Sequence, residues 1–275
     1  MSPYTSGEML REATDRIGAL DARVLLAHVT GRSAAELAAH PEIQMREQQE
    51  TTYRELVERR AAGEPVAYLT GNREFYGRQF KVSPAVLIPR PETELLVDCA
   101  LERLPRDAAA RVLDVGTGSG CVAISIASER SRAKVLALDK SQEALAMARR
   151  NAYELHVGNV GFLGSEGLSG LRDEHFDMIV SNPPYVASND AHLGEGDLRF
   201  EPRVALDGGV DGLALMRRLV TEAPKYLVPG GWLLVEHGHD QGRAVRALFE
   251  AAGYRDIFTE PDLADIERVT GGRYQ

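Results

Sequence analysis

Apolar residues recur every three to four positions through residues 1–62. Met9, Ala13, Ile17 and Leu20 fall on one stripe, as do Val24, Leu25 and His28, and later Tyr53, Leu56 and Val57. That spacing belongs to amphipathic helices. Strand-like alternation is missing from this stretch. Ser33 followed by Glu36 reads as a capping box opening a short helix over Ala34–Ala39, with Pro41 helping to stop it. Gly63-Glu64-Pro65 ends the last helix, and the segment predicts a small all-α unit. From Ala67 to Pro84 the texture changes to aromatic and β-branched residues, among them Tyr68, Phe75, Tyr76, Phe80 and Val82. Gly77 between two short runs suggests a β-hairpin.

From residue 92 onward the period switches back and forth. A helix over Glu92–Leu104 precedes the apolar run Arg111–Val115, followed by a helix over Cys121–Glu129 and a strand over Lys134–Leu138. The pattern continues as a helix Gln142–Asn151, strands near Val160–Leu163 and over Phe176–Val180, a helix Leu213–Tyr226, a strand Trp232–Glu236 and a helix Arg243–Ala252. Such alternation builds a parallel sheet. Tyr254–Thr259 and Ile266–Thr270, joined by a Pro-Asp-containing loop, suit an antiparallel pair at one edge. The expected fold is α/β: a Rossmann-like seven-stranded domain over residues 92–275, a β-hairpin connector over 73–91 and a small all-α N-terminal domain over 1–72.

Composition narrows the functional classes. The 275 residues include 32 basic and 41 acidic side chains, for a net charge of -9. Binding that works by neutralising phosphates needs a clustered basic face, so this balance disfavours nucleic acid as a direct partner. Apolar runs such as Val112–Val115 and Met178–Val180 fall far short of the roughly 20 residues of a membrane helix. Met1–Leu10 lacks a signal pattern, and the expected location is cytoplasmic. Cys99 and Cys121 have no ligand spacing and read as buried, inert thiols.

Two segments carry candidate chemistry. Asp114-Val115-Gly116-Thr117-Gly118-Ser119-Gly120 follows a strand and opens a helix, and Asp139 closes the next strand. Glycines let a backbone turn sharply and approach a ligand, while an acid at the second strand end can accept from both ribose hydroxyls. The loop reads GxGxG, not the GxGxxG of dinucleotide enzymes, and no GK[ST] follows. S-adenosylmethionine therefore ranks ahead of NAD and ATP. Ser181-Asn182-Pro183-Pro184-Tyr185 follows the strand Phe176–Val180 and so lies on the same rim. Consecutive prolines stiffen the backbone, leaving the Asn182 side chain and the Pro183 carbonyl as acceptors for a planar NH2 group, with Tyr185 over its face. An amide or exocyclic amine is a poor nucleophile, so catalysis here would be positioning plus stabilisation of charge developing on nitrogen.

With these motifs in hand, the chain resembles class I S-adenosylmethionine-dependent methyltransferases, and within them the release factor glutamine methyltransferases of the HemK/PrmC type. The resemblance spans nearly the whole chain. It rests on the helical N-terminal unit, Glu74-Phe75-Tyr76-Gly77, Leu87-Ile88-Pro89-Arg90-Pro91-Glu92-Thr93-Glu94, the glycine loop, Asn182–Tyr185, Glu201-Pro202-Arg203-Val204-Ala205-Leu206 with Gly208-Gly209, and Glu236-His237-Gly238. It implies methyl transfer to the side-chain nitrogen of the glutamine in the Gly-Gly-Gln motif of class 1 peptide chain release factors, with no metal. By that resemblance Gly116, Thr117, Gly118, Ser119 and Gly120 surround the methionine and ribose portions of the cofactor. Asp139 takes the ribose hydroxyls, and Asn182, Pro183, Pro184 and Tyr185 hold the substrate amide, with Asn182, Pro183 and Tyr185 as the catalytic set. Family members often carry an acid followed by an aromatic near the adenine, whereas this chain has Glu166-Gly167, leaving Glu166 to reach the adenine amine.

Other residues have blander readings beside functional ones. Glu92 and Glu94 could favour a helix N-terminus through its dipole, or the Pro89–Glu94 segment could line the site. Glu201 could be a solvated loop charge, although Gly208-Gly209 suggests a backbone held close to the site. His237 and His239 lack a third ligand and read as packing or surface residues. Two rival functions remain open: a nucleic-acid amino-methyltransferase sharing the Asn-Pro-Pro-Tyr chemistry, or one acting on a ribosomal protein. A non-catalytic adaptor that keeps the fold as a binding module is the third alternative, against which the intact glycine loop, Asp139 and Asn182 count.

Overall fold

The computed structural model describes residues 4–275. The chain divides into two compact units, one ending at Asn72 and the other spanning Arg73–Gln275. In the first, helices α1 (Ser6–Ile17), α2 (Ala19–Thr30), α3 (Ala34–Ala39), α4 (Glu47–Ala61) and α5 (Val66–Thr70) pack around Met9, Leu25, Leu26, Met45 and Tyr53. Thr5 caps α1 with a reciprocal capping box to Glu8. At α3 only half of the expected box forms. The Ser33 hydroxyl accepts from the Glu36 N–H at 3.1 Å, but the Glu36 carboxylate pairs with Arg32 instead. The stretch expected to turn extended at Ala67 begins as α5, because Tyr68 and Leu69 are buried on a helical turn that follows Pro65.

The hairpin β1 (Asn72–Phe75) and β2 (Arg78–Lys81) starts at the last residue of the first unit and otherwise opens the second. Its turn puts both Tyr76 and Gly77 at positive φ, as a two-residue hairpin whose twist matches its strands requires. For tyrosine that is a strained conformation, and two acids of the following helix hold it. Tyr76 N–H donates to Glu94 at 2.8 Å and its hydroxyl to Asp98 at 2.7 Å. Glu94 thus anchors the hairpin; it does not line the site.

The rest is a layered α/β fold. Helix α6 (Glu94–Arg103) leads into β3 (Arg111–Val115), α7 (Cys121–Glu129), β4 (Lys134–Asp139), α8 (Gln142–Glu154), β5 (Val160–Gly164) and β6 (Phe176–Ser181). After α9 (Ala214–Glu222) come β7 (Leu227–Glu236), α10 (Gly242–Ala251), β8 (Arg255–Pro261) and β9 (Glu267–Arg273). The seven strands run in the order β5-β4-β3-β6-β7-β9-β8, parallel up to β7 and antiparallel at the β9 and β8 edge. Helices cover both faces, so neighbouring strand residues are both buried. Val112 and Met178 join a core with Ile124 and Leu96, and Leu113 and Ile179 join another with Leu219 and Phe249. This is why the strands read as continuous apolar runs. The expected helix Leu213–Tyr226 is shorter: α9 ends at Glu222, and Ala223–Lys225 forms a 3-10 turn around Pro224, which cannot donate to a continuing helix. No helix of the described residues is long and apolar enough to cross a membrane. Cys99 and Cys121 are buried, and burial pushes each thiol up to about 12.

Candidate active site

Strand order reverses around β3, with β4 on one side and β6 on the other. Loops leaving the carboxyl ends of such neighbours diverge to opposite faces and leave a crevice. A cavity of about 710 Å³ occupies that place. Of the site residues singled out from the sequence, Gly116, Gly118, Asp139, Glu166, Gly167, Asn182 and Pro184 line it, together with residues 202–205, Gly208 and Gly209 of the later motif.

The glycine loop is held by the end of β4. Gly116 and Thr117 N–H both donate to the Leu138 carbonyl at 2.8 Å, and Gly118 N–H donates to the Asp139 carboxylate at 2.9 Å. The other Asp139 oxygen accepts from Ser141 N–H at 2.9 Å. Two backbone amides therefore orient this carboxylate at the cavity wall, and each oxygen keeps a lone pair for a further donor. Gly116 and Gly118 sit at φ +77° and +55°, and a Cβ on either would meet nothing within 4 Å, so the loop keeps open space where side chains would protrude. Gly120 differs: a Cβ there would come within 2.8 Å of Ile124, which makes it a packing glycine. Thr117 and Ser119 are buried away from the cavity. The Thr117 hydroxyl donates to Asp114 at 2.6 Å. Burial raises the Asp114 carboxyl to about 7, against the opposing bonds from Thr117 and the Ala123 N–H. Asn151 on α8 locks the loop exit, donating to the Ser119 carbonyl at 2.8 Å and exchanging bonds with Lys81 of β2.

The Asn182–Tyr185 segment is held from behind. Asn182 Nδ2 donates to the Thr93 hydroxyl at 3.1 Å, which leaves Oδ1 as the free acceptor. Pro183 is buried, Tyr185 is half-buried, and neither lines the cavity. The Tyr185 hydroxyl points to Glu236 Oε1 at 3.4 Å, and its carbonyl accepts from Gln241 at 2.9 Å. Glu236 ends β7 fully buried, and burial raises its carboxyl to about 7, opposed by the Thr93 hydroxyl, Arg268 and Tyr185. Its Oε2 has no hydrogen-bond partner.

The segment after it forms a second brace. Val186 N–H donates to Leu206 and Gly208 N–H to Val186, at 3.0 and 2.8 Å. Gly208 passes so close that a Cβ would lie 2.6 Å from the Pro184 carbonyl. Glu201 is not a solvated charge: its buried carboxylate accepts from Ile88 N–H at 3.0 Å and pairs with Arg90. It therefore ties the loop after β6 to the strand of chain that follows the hairpin, and it is Ala85, Val86 and Leu87 from that stretch, not Pro89–Glu94, that reach the cavity wall. His237 is buried, bonded to the Gly238 carbonyl and to Thr270 at 2.9 and 3.0 Å, while His239 is exposed. At Gly167 the neighbour is Arg218 of α9, whose guanidinium carbon lies 3.9 Å from where a Cβ would start. Arg218 carries no local sequence signal, since it reaches the site only through the packing of a distant element, whereas Thr93 lies in the motif over residues 87–94 and holds Asn182 from behind.

Known relatives cover nearly the whole chain. Residues 7–71 match the family model described as PrmC N-terminal domain, and residues 92–195 match Methyltransferase small domain. The release factor glutamine methyltransferase of Burkholderia pseudomallei is 50% identical over 99% of this chain and 97% of its own length. That of Escherichia coli is 46% identical over 96% of this chain and 97% of its own. Among solved structures, a T. Thermophilus 16S rRNA N2 methyltransferase in complex with AdoMet and guanosine superposes with TM-score 0.55 at 20% identity, covering 74% of this chain and 50% of that one.

Proposed function

The chain belongs to the family of release factor glutamine methyltransferases, and from that premise we propose that it methylates the side-chain amide nitrogen of the glutamine in the Gly-Gly-Gln motif of class 1 peptide chain release factors. The observation that carries the reading is the free Oδ1 of Asn182, fixed at the cavity edge by the bond from its own Nδ2 to Thr93. An acceptor so placed takes one hydrogen of an approaching NH2 group, and we assign the other to the carbonyl of Pro183, which sits between the cavity-lining residues Asn182 and Pro184.

The residues lining the cavity fit S-adenosylmethionine. Gly116 and Gly118 leave room at the wall for a ligand to lie against the backbone, and the Asp139 carboxylate retains capacity for two ribose hydroxyls. Glu166 and Arg218 flank the neighbouring wall with a charge of each sign. When bound, S-adenosylmethionine supplies a methyl group on a positively charged sulfur that becomes neutral as the methyl leaves. The chain's own part is to orient and to stabilise. Asn182 and Pro183 hold the amide NH2 so that its nitrogen faces the methyl, which replaces activation by a base with alignment. As positive charge develops on nitrogen, the same two oxygens bind it more strongly than they bind the neutral amide, and that difference lowers the barrier. The helical unit that ends at Asn72 is the part we assign to recognition of the release factor, in a cytoplasmic enzyme.

The test is methyl transfer from labelled S-adenosylmethionine to a purified class 1 release factor, with its Gly-Gly-Gln motif intact or with that glutamine replaced by alanine. Label on the intact protein alone supports the reading. Equal label on both, or none on either with cofactor binding confirmed by calorimetry, overturns it.

A further inference from the structure

The two ends of the cofactor already placed leave one wall for its base. The methyl group has to face Asn182 after β6, and the ribose lies at Asp139, which ends β4. A nucleoside spanning both carries its base onward to β5, the neighbour of β4 on the side away from β3. There Ser165, Glu166 and Gly167 line the cavity. This placement rests on the reading that S-adenosylmethionine is the cofactor. Proteins hold a base by stacking a flat group on its face, either an aromatic ring or a guanidinium. No aromatic side chain of the described residues lines this cavity. The residue at the wall itself is Gly167, at φ +59°, where a side chain would be strained.

We propose that Arg218 is the adenine-stacking residue of this chain, its guanidinium covering the base from the place where residue 167 has no side chain. A Cβ on Gly167 would meet one group within 4 Å, the Arg218 guanidinium carbon at 3.9 Å. Arg218 therefore stands in the space that a side chain at 167 would fill, although it comes from α9. Its edges are held by acids: Nε donates to Glu222 Oε1 at 3.1 Å, and a terminal nitrogen lies 4.0 Å from Glu166. The N–H bonds of a guanidinium lie in its plane, so these pairings fix the group and leave its faces for a ring. An i,i+4 pair with Glu222 alone could be satisfied along the helix surface; here the guanidinium also reaches the loop after β5 and lines the cavity. The other arginine of the wall, Arg203, lies 3.6 Å from Asp207 in the brace after β6, on the side of the strand order away from the base.

The experiment measures Kd for S-adenosylmethionine and S-adenosylhomocysteine by calorimetry in the wild type, Arg218→Met, Arg218→Lys and Arg218→Trp, with the Tm of each protein free of ligand. Arg218→Met keeps length without a plane and should raise both Kd values about tenfold to a hundredfold, the range for one base stacked on a side chain. Arg218→Lys keeps the charge and should lose about as much. Arg218→Trp supplies a plane without charge and should stay within about threefold of wild type. The ligand-free Tm values should agree within about 2 °C, because an exposed ion pair contributes little to stability. The single native tryptophan, Trp232, does not line the cavity, so ligand should quench the new indole of Arg218→Trp and leave wild-type fluorescence nearly constant. Wild-type affinity in Arg218→Met or in Arg218→Lys, or an Arg218→Trp protein that binds no better than Arg218→Met, overturns the proposal. A wild type that binds neither ligand defeats the cofactor reading itself, and the proposal falls with it; wild-type binding that Arg218→Met leaves intact defeats the proposal alone.

Discussion

Gly208→Ala adds one methyl group outside the reacting centre, at the point where the brace crosses the Asn-Pro-Pro-Tyr segment. The new Cβ would lie 2.6 Å from the carbonyl oxygens of both Pro184 and Gly212, and 2.9 Å from the Gly212 carbonyl carbon. All three are backbone atoms, so no side chain can rotate out of the way. Overpacking of this kind costs about 1–3 kcal/mol. Relief by backing the chain away strains two hydrogen bonds, Gly208 N–H to Val186 at 2.8 Å and Ala214 N–H to Gly208 at 3.0 Å, each worth about 1 kcal/mol. The whole penalty is then about 3–5 kcal/mol, and the structure lowers it by pushing Pro184 outward, which carries Asn182 with it. Misplacing an aligned group by on the order of 1 Å costs about a hundredfold in rate. The assay is methyl transfer to release factor together with thermal unfolding and calorimetry of cofactor binding. We expect kcat to fall about a hundredfold and Tm to fall, with cofactor affinity changed much less than kcat. Gly253→Ala is the control: its φ of +81° also disfavours a side chain, but a Cβ there meets nothing within 4 Å, and Gly253 follows α10 away from the cavity. Turnover of Gly208→Ala within threefold of wild type, or equal damage from Gly253→Ala, would refute the reasoning.

Three further outcomes follow from the same geometry. Asn182→Ala should cut kcat by about 10²–10³ with cofactor binding nearly unchanged, because the lost oxygen faces the amide; single-turnover rates beside calorimetry check it. Asp139→Ala removes the acceptor for Gly118 and Ser141 N–H as well as for ribose, so cofactor Kd should rise about tenfold to a hundredfold, and an unaltered Kd sinks the ribose assignment. Asp114 has its folded-state carboxyl raised from 3.8 to about 7, so the fold binds its proton more tightly than the unfolded chain does. That contribution to stability is complete below about pH 4 and is lost as pH climbs through 7. The Tm of wild type relative to Asp114→Asn should therefore decline between pH 5 and pH 8, and a difference that is flat or rises with pH contradicts it.

Much of this molecule could be read along the chain, for reasons tied to local chemistry. The runs at Arg111–Val115 and Cys121–Glu129 have the bounds expected from their periodicity, because burial on both faces leaves an unbroken apolar signal. The glycine loop, Asp139 and Asn182 were also legible, since the end of a parallel strand dictates which rim a residue occupies. Where the reading went astray, a neighbour distant in sequence had decided the outcome. Ala67–Thr70 is helical because Tyr68 and Leu69 bury there, despite their strand-like texture. Glu201 is buried because Ile88 and Arg90, more than a hundred residues earlier, supply its partners. Arg218 belongs to the site for the same reason, and Thr93 and Glu236, though they fall in motifs singled out above, take their partners the same way. Only the stacking of a 3-10 turn, β7 and α9 around one crevice sets which atoms face each other. Periodicity records which face of an element leaves water, and so it determined the elements and the rim. The partner met on that face depends on how separate elements pack, and this alone decided which hydroxyl holds Asn182 and which buried surroundings raise the Glu236 carboxyl to about 7.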